Sequence, residues 1–258
     1  MQNRVGQSCA GTRHGSATVA WDDVASQRNV MDNIVDSPPA PCQSGSSIEH
    51  DLGDGRVTIW PAAFDGPAAD ELFAELLSSV EWRQETLSIL GERRTVPRLV
   101  AWYGERDAVY TYSGTRHLPL PWTPALARVR AHVSRLCDCE FNSVLANRYR
   151  SGQDAMGWHA DDEPELGEEP VIASLSLGAT RRFRLRHRAR RHDIHAFDLP
   201  HGSLLVMSGA IQRCWMHCLA RTSRPVGERI NLTFRRVLIE RSAPADSGVA
   251  SCATRSTK

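Results

Sequence analysis

The sequence predicts an α+β domain built on a β-sandwich or jelly roll. Two segments with helical spacing of apolar residues come first, and from about residue 141 onward the chain shows short runs with strand periodicity. Glycines at turn positions separate these runs, among them Gly152, Gly178 and Gly202. Helices followed by many short strands are typical of this fold class.

The length and composition fit one folded domain between two tails. The chain has 258 residues, of which 41% are hydrophobic and 24% are charged, enough to form a real core. Residues 36–47 are rich in Ser, Pro and Gly, so we predict a disordered tail over 1–47, a folded domain over 48–240 and a second disordered tail over 241–258. No apolar run reaches the ~18 residues that a transmembrane helix needs, so no membrane partner is expected.

Capping signals predict where the two helices begin. An Asp-Gly-Pro sequence at 65–67 precedes the apolar positions of the first helix, which are Leu72, Phe73, Leu76, Leu77 and Val80. Thr123 followed by Pro124 is a good N-cap for the second helix, whose apolar face consists of Leu126, Val129, Val133 and Leu136. The strand candidates are residues 57–60, 144–149, 171–177, 183–187, 203–207 and 229–237.

A His-x-Asp sequence at His159 and Asp161 is the most informative local feature. On an extended segment these two side chains point to the same side, and His217 follows later in the chain. Two imidazoles and one carboxylate on one face leave open positions on an octahedral metal, as in the non-haem Fe(II) oxygenases. The chain has 10 histidines, so this pattern alone is weak, and a surface His-x-Asp in an acidic loop is the alternative.

The segment RINLTFRR at 229–236 carries an unusual polar face. On a strand, Arg229, Asn231, Thr233 and Arg235 share one face, while the apolar residues between them share the other. Arginines on a core strand are costly unless their charges are paired. The two guanidinium groups could hold a small dicarboxylate between them. A solvent-facing strand edge with simple ion pairs is the alternative.

Several motifs together resemble the AlkB family of Fe(II)- and 2-oxoglutarate-dependent dioxygenases. They are NRYR at 147–150, WHADDE at 158–163, VIASLSLGATRRFRLRHR at 171–188, HGSLLVMSG at 201–209, CWMH at 214–217 and RINLTFR at 229–235. The resemblance covers about residues 55 to 238 and is strongest to family members that act on double-stranded DNA. It implies a double-stranded β-helix (jelly-roll) core with flanking N-terminal helices and a nucleotide-recognition hairpin region.

The resemblance also implies an activity and a set of site residues. The family removes methyl groups from 1-methyladenine and 3-methylcytosine with release of formaldehyde, using Fe(2+), 2-oxoglutarate and O2. His159, Asp161 and His217 match the iron ligands. Arg229 matches the arginine that pairs with the distal carboxylate of 2-oxoglutarate, and Arg235 the one near the carboxylate at the keto end. Asn147 and Tyr149 match further co-substrate contacts, and Asn231 and Thr233 line the same pocket.

Counterparts of substrate-binding residues are present as well. Asp162 and Glu163 would favour a methylated, cationic base over a normal base; the alternative is that they only continue an acidic loop. Tyr110 and Tyr112 match aromatic residues near the flipped base, Tyr112 being the better candidate for stacking, unless they are an ordinary cross-strand pair. Leu90, where the double-strand type has an aromatic residue, matches the tip of a hairpin that enters the duplex; a plain hairpin tip is the alternative. Arg98 follows this hairpin as a candidate phosphate contact.

The charge is nearly balanced overall but is unevenly distributed. The formal net charge is +1, yet residues 151–170 are acidic and residues 181–191 contain an Arg-rich run in which Arg182, Arg184 and Arg186 would share an exposed strand face. Such a face suits phosphates, and a solvated charged face is the alternative. The predicted partner is alkylated DNA, single- or double-stranded, with RNA as a further candidate, bound by a monomer. A sister oxygenase for RNA, protein or a small molecule and a non-catalytic nucleic-acid binder are the alternatives.

The cysteines indicate the compartment. The chain has 7 cysteines without a CxxC pair, which is typical of free thiols in a reducing cytosol, a zinc knuckle being the alternative. The predicted localisation is cytoplasmic and nucleoid-associated in a bacterium, or nuclear in a eukaryote.

Overall fold

The protein structure, a computed structural model, describes residues 46–89, 92–112 and 115–238. The strands in chain order are β1 (Ile48–Asp51), β2 (Arg56–Trp60), β3 (Arg83–Ile89), β4 (Glu92–Gly104), β5 (Tyr110–Tyr112), β6 (Thr115–His117), β7 (Ser143–Tyr149), β8 (Met156–His159), β9 (Ile172–Gly178), β10 (Arg181–His187), β11 (Ile194–Leu199), β12 (Ser203–Ser208), β13 (Trp215–Leu219) and β14 (Arg229–Arg235). The helices are α1 (Gly66–Ser79), α2 (Pro124–Cys137) and the short α3 (Ile211–Cys214), with a 3-10 turn at Pro164–Leu166. None of these helices is long and apolar enough to cross a membrane.

Two antiparallel sheets form the β-sandwich, which confirms the predicted jelly roll. The major sheet has the order β1-β2-β12-β9-β14-β7-β4-β3, and the minor sheet has the order β11-β10-β13-β8. β5 and β6 pair separately as a hairpin. Because β14 lies between β9 and β7 in the middle of the major sheet, its seven residues are all buried.

The two predicted helices begin at their predicted caps. The side chain of Asp65 accepts a hydrogen bond from the backbone N–H of Ala68, and that of Thr123 accepts one from Leu126. In both helices a proline follows in the first turn, where its missing N–H costs nothing. The caps therefore fix the residue at which each helix begins. Each helix presents one apolar face.

Those apolar faces cover the outer side of the major sheet. Leu72 and Leu76 of α1 and Val129 and Val133 of α2 form one core cluster with the alternate β14 residues Ile230, Leu232 and Phe234. A second cluster, with Ile172, Leu185 and Trp215, fills the space between the two sheets. The opposite face of β14 is thus directed at the minor sheet, and the polar residues predicted to share that face do share it.

Candidate active site

A pocket between the two sheets contains the residues that the sequence singled out. β7, β9, β12 and β14 contribute its major-sheet wall, and β8, β10 and β13 contribute the opposite wall. Its lining includes all the predicted iron and co-substrate residues, namely Asn147, Tyr149, His159, Asp161, His217, Arg229, Asn231, Thr233 and Arg235. The fold thus brings together side chains that are far apart in sequence.

The two histidines are neighbours on adjacent strands of the minor sheet. His217 on β13 is the direct cross-strand partner of His159 on β8, and the ring centroids are 4.1 Å apart. Nδ1 of His159 lies 2.8 Å from the carbonyl oxygen of Gly157. Because a carbonyl oxygen only accepts, Nδ1 carries the proton and donates, which leaves the Nε2 lone pair free. This Nε2 lies 3.8 Å from Oδ1 of Asp161.

The donor set of this triad fits a divalent transition metal. One ligand atom from each of His159, Asp161 and His217 lies within 4.8 Å of the others. Burial, together with the neighbouring imidazole, lowers the pKa of His217 to about 3, and burial also lowers the pKa of His159. Burial would raise the pKa of Asp161, but Arg235 and the imidazoles outweigh it and lower this pKa to about 2. Two neutral imidazoles and a carboxylate suit Fe(II), and Nδ1 of His217 is buried without a hydrogen-bond partner among the described residues.

Arg235 lies against the carboxylate of Asp161. Its Nε and Nη2 donate to Oδ2 over 3.1 and 2.7 Å, and both side chains are about 5% exposed. Oδ1 of Asp161 is not engaged by these hydrogen bonds and faces His159. Arg235 was expected near the keto end of the co-substrate, and its position in the pocket adds a contact with the metal-site carboxylate that the sequence did not predict.

Arg229 is a buried guanidinium without a carboxylate partner among the described residues. It is 2% exposed; its Nη2 donates to Oγ of Ser176 over 2.9 Å, and its centre lies 5.3 Å from the ring centroid of Tyr149. Its Nε is buried and has no hydrogen-bond partner in the described structure. Burial lowers the pKa of Arg229 to about 10. A buried guanidinium with an unused N–H donor suits a carboxylate ligand, which would supply both an acceptor and the opposite charge.

Two serines of β9 orient this polar face, and the sequence reasoning missed them. Oγ of Ser174 accepts from Nδ2 of Asn231 over 2.8 Å, and Ser176 accepts from Arg229. Thr233 in turn donates to Oδ1 of Asn231 over 3.0 Å. The available signal was the alternation of serine with apolar residues in IASLSLG, since a buried strand with polar residues at every second position needs polar neighbours.

The structure does not place Arg98 on the surface, where a phosphate contact was predicted. Arg98 is only 4% exposed, and its Nε donates to Oδ1 of Asn147 over 2.6 Å. A guanidinium buried inside the sheet cannot reach the backbone of a duplex on the surface. Through Asn147, which lines the pocket, Arg98 supports the major-sheet wall.

Of the other predicted substrate residues, the structure describes the side chains of Asp162 and Glu163, and neither belongs to the lining of the pocket. Asp162 is half-exposed and forms an ion pair with Arg188, and Glu163 precedes the 3-10 turn. Tyr110 and Tyr112 lie on β5, opposite His117 and Thr115 of β6, but their side chains and all of Leu90 lie outside the described residues. For these five residues the substrate-binding assignment stays a prediction.

A second cluster of possible metal ligands is a hydrogen-bonded network instead. Asp54, His187 and Cys214 lie close enough to share an ion. However, Nδ1 of His187 accepts from the backbone N–H groups of Ala189 and Arg190, so the ring proton lies on Nε2, which donates to Oδ2 of Asp54 over 3.1 Å. Neither ring nitrogen keeps a free lone pair, and Arg190 already neutralises Asp54. The cysteines described by the structure, Cys137, Cys139, Cys214 and Cys218, are free thiols.

Two packed antiparallel sheets with a His-Asp-His group between them are typical of one class of oxygenase. The model of the 2OG-Fe(II) oxygenase superfamily matches residues 56–235, and the chain belongs to this family. Membership confirms the predicted cofactors, Fe(2+), 2-oxoglutarate and O2, and an enzyme of the dioxygenase type. The resemblance to the AlkB family is confirmed as well.

Curated relatives give the more particular likeness. The chain is 39% identical over 206 residues to human "DNA oxidative demethylase ALKBH2", covering 76% of this chain and 79% of that protein. It is 41% identical over 198 residues to bovine "Alpha-ketoglutarate-dependent dioxygenase alkB homolog 3", covering 72% and 67%. Among solved structures, "The structure of OsALKBH1" matches with a TM-score of 0.51 and 16% identity, covering 73% of this chain and 100% of that one, which supports the fold alone.

Proposed function

We propose that this chain is a DNA repair dioxygenase that removes methyl groups from alkylated bases, including 1-methyladenine and 3-methylcytosine. The observation that carries the proposal is the pairing, in one pocket, of the His159-Asp161-His217 group with the buried Arg229, which needs an anionic partner. The relatives named as DNA oxidative demethylases support DNA as the substrate. When bound, iron with 2-oxoglutarate and O2 supplies the oxidation of the N-methyl group, which leaves as formaldehyde.

Within this proposal each pocket residue has a physical task. His159, Asp161 and His217 would hold the iron, and the hydrogen bond from His159 to Gly157 fixes which ring nitrogen faces it. Arg229 would bind the distal carboxylate of 2-oxoglutarate, with Ser176 holding the guanidinium in place. Arg235 keeps Asp161 ionised and oriented. Most of the residues that line the pocket are buried between the two sheets, which would limit the access of water to the reacting groups.

Recognition of the lesion would depend on charge and stacking. Methylation at N1 of adenine or N3 of cytosine makes the base cationic, so a nearby carboxylate favours it over the normal base. Asp162 and Glu163 follow Asp161 directly and remain our candidates, Asp162 exchanging its ion pair with Arg188 for the base. Tyr110 and Tyr112 would stack on the flipped base, and Leu90 would enter the duplex.

The outer face of β10 is a candidate surface for phosphates. Its exposure alternates along the strand, with Arg182, Arg184 and Arg186 on the outer side. Arg184 and Arg186 lie over the ring of Trp158, 5.6 and 4.4 Å from its centroid, and have no carboxylate partner among the described residues. Arg182 differs because Asp198 accepts two hydrogen bonds from it.

Replacing Arg184 and Arg186 together with glutamine should weaken binding of single-stranded DNA and reduce its salt dependence. Each lost phosphate contact lowers the slope of log K against log salt by about 0.7 on a single strand. Fluorescence anisotropy of a labelled, unmodified oligonucleotide at several salt concentrations measures this slope. Arg182→Gln combined with Asp198→Asn is the matched control, because it removes an existing ion pair of the same face without changing its net charge. An Arg184 and Arg186 double variant with the wild-type slope would remove this face from the DNA-binding surface.

Demethylation assays test the proposed function directly. Purified protein with Fe(II) and 2-oxoglutarate is offered 3-methylcytosine and 1-methyladenine in single-stranded DNA, double-stranded DNA and RNA, and formaldehyde is measured. We expect release from DNA. Release from RNA only would favour a sister oxygenase, and DNA binding without any release from these substrates would favour a non-catalytic binder.

A further inference from the structure

Gln212 is a buried polar side chain that the sequence reasoning did not single out. It lies on α3, between β12 and β13, and is 1% exposed. Its Oε1 accepts a hydrogen bond from the backbone N–H of Asp161 over 3.0 Å. Its Nε2 lies 3.5 Å from the thioether sulfur of Met207, a weak acceptor. The orientation of the amide is therefore set by Asp161, since only the amide oxygen can accept.

The position of Asp161 explains why this hydrogen bond matters. Asp161 follows the end of β8 and lies outside the strand ladder, so its backbone is not fixed by a neighbouring strand. Arg235 holds Oδ2 of the side chain, and Gln212 holds the backbone. With both ends fixed, Oδ1 is left facing His159 at 3.8 Å from its Nε2.

Gln212 also connects the two segments that carry the triad. α3 runs directly into β13, the strand of His217, while the hydrogen bond reaches the segment of Asp161. The backbone oxygen of Gln212 accepts from Nη2 of Arg188 over 3.2 Å, and Arg188 is paired with Asp162. The segment of Asp161 and Asp162 is thus held to α3 by hydrogen bonds, and the strand of His217 is continuous with α3.

We propose that Gln212 is a positioning residue that fixes Asp161 relative to His217 and so sets the affinity of the triad for a divalent cation. The proposal rests on the metal site of the proposed function. Hydrogen-bonding groups that orient metal ligands typically change metal affinity by about 10- to 100-fold when they are removed. Gln212 acts through the backbone of the ligand, and no contact with substrate is implied.

Metal titration of the full chain tests this without any nucleic acid. Gln212→Met keeps the length of the side chain but removes the acceptor, and we expect its Kd for Mn(II), measured by electron paramagnetic resonance, to rise at least about 10-fold. Gln212→Glu restores an acceptor oxygen at the same length and should bind Mn(II) more tightly than Gln212→Met. Arg213→Gln is the matched control, an exposed neighbour on α3 paired with Glu169, and should bind as the wild type does. The visible spectrum of bound Co(II) should change in Gln212→Met and not in the control.

A second variant keeps the test decisive if Gln212→Met does not fold. Gln212→Asn keeps the amide but withdraws it by one methylene, and should show the same direction of loss. Wild-type Mn(II) affinity and an unchanged Co(II) spectrum in the folded Gln212 variants would overturn the proposal for Gln212 alone. Absence of Mn(II) and Co(II) binding by the wild-type protein would instead refute the metal site of the proposed function.

Discussion

Replacing Asp161 with alanine should lower the free energy of unfolding by about 3–5 kcal/mol as well as abolish demethylation. The expected loss of activity follows from the proposed role of Asp161 as a metal ligand. The loss of stability follows from Arg235, whose guanidinium stays buried while the carboxylate that accepts its two hydrogen bonds is gone. Removing one partner of a buried ion pair leaves a charge that the interior cannot solvate. Urea unfolding of the metal-free protein measures the effect.

A double variant separates the two consequences. Asp161→Ala combined with Arg235→Met removes both charges, and apolar replacement of a buried pair is often nearly neutral. We expect most of the stability to return while demethylation stays absent. His159→Ala is the control for the single change, since it removes a ligand without leaving a buried charge; it should keep DNA binding and near-wild-type stability but release no formaldehyde. An Asp161→Ala variant as stable as His159→Ala would contradict the buried pair.

Elements with local causes could be predicted from the sequence. The helices begin at Asp65 and Thr123 because those side chains cap the first turn, and this depends only on neighbouring residues. The two faces of β14 follow from the alternation of polar and apolar residues over 229–235. The His-x-Asp pair likewise lies on and just after a short strand, and His217 was predicted as its third partner from the residue types, with support from the motif resemblance.

Features that depend on long-range packing could not be predicted. β4 pairs with β3 on one side and β7 on the other, and only this placement decides that Arg98 points into the protein toward Asn147. The same holds for the pair of Arg235 and Asp161 and for Gln212, whose partner is on a different strand connection. An isolated sequence window does not distinguish an exposed arginine from a buried one, because both satisfy the same strand periodicity.

Arg229 is the position where function and stability should oppose each other most clearly. Its cation is fully buried and has no carboxylate partner among the described residues, and its Nε lacks an acceptor. Keeping a charge in that environment costs stability unless a ligand neutralises it. A pocket that is prepared for a dicarboxylate is therefore expected to be more stable with the ligand than without it.

Arg229→Met should weaken binding of 2-oxoglutarate by at least about 100-fold, because two charge-assisted hydrogen bonds of about 1.5–3 kcal/mol each are lost. In the absence of 2-oxoglutarate the variant should be at least as stable as the wild type, since a desolvated charge has been replaced by an apolar chain of similar length. Thermal unfolding with and without 2-oxoglutarate measures both effects: Tm of the wild type should rise with the ligand and Tm of the variant should not. Arg229→Lys, which keeps the charge but not the bidentate geometry, should fall between them. If 2-oxoglutarate stabilised Arg229→Met as much as the wild type, the co-substrate would have to bind elsewhere.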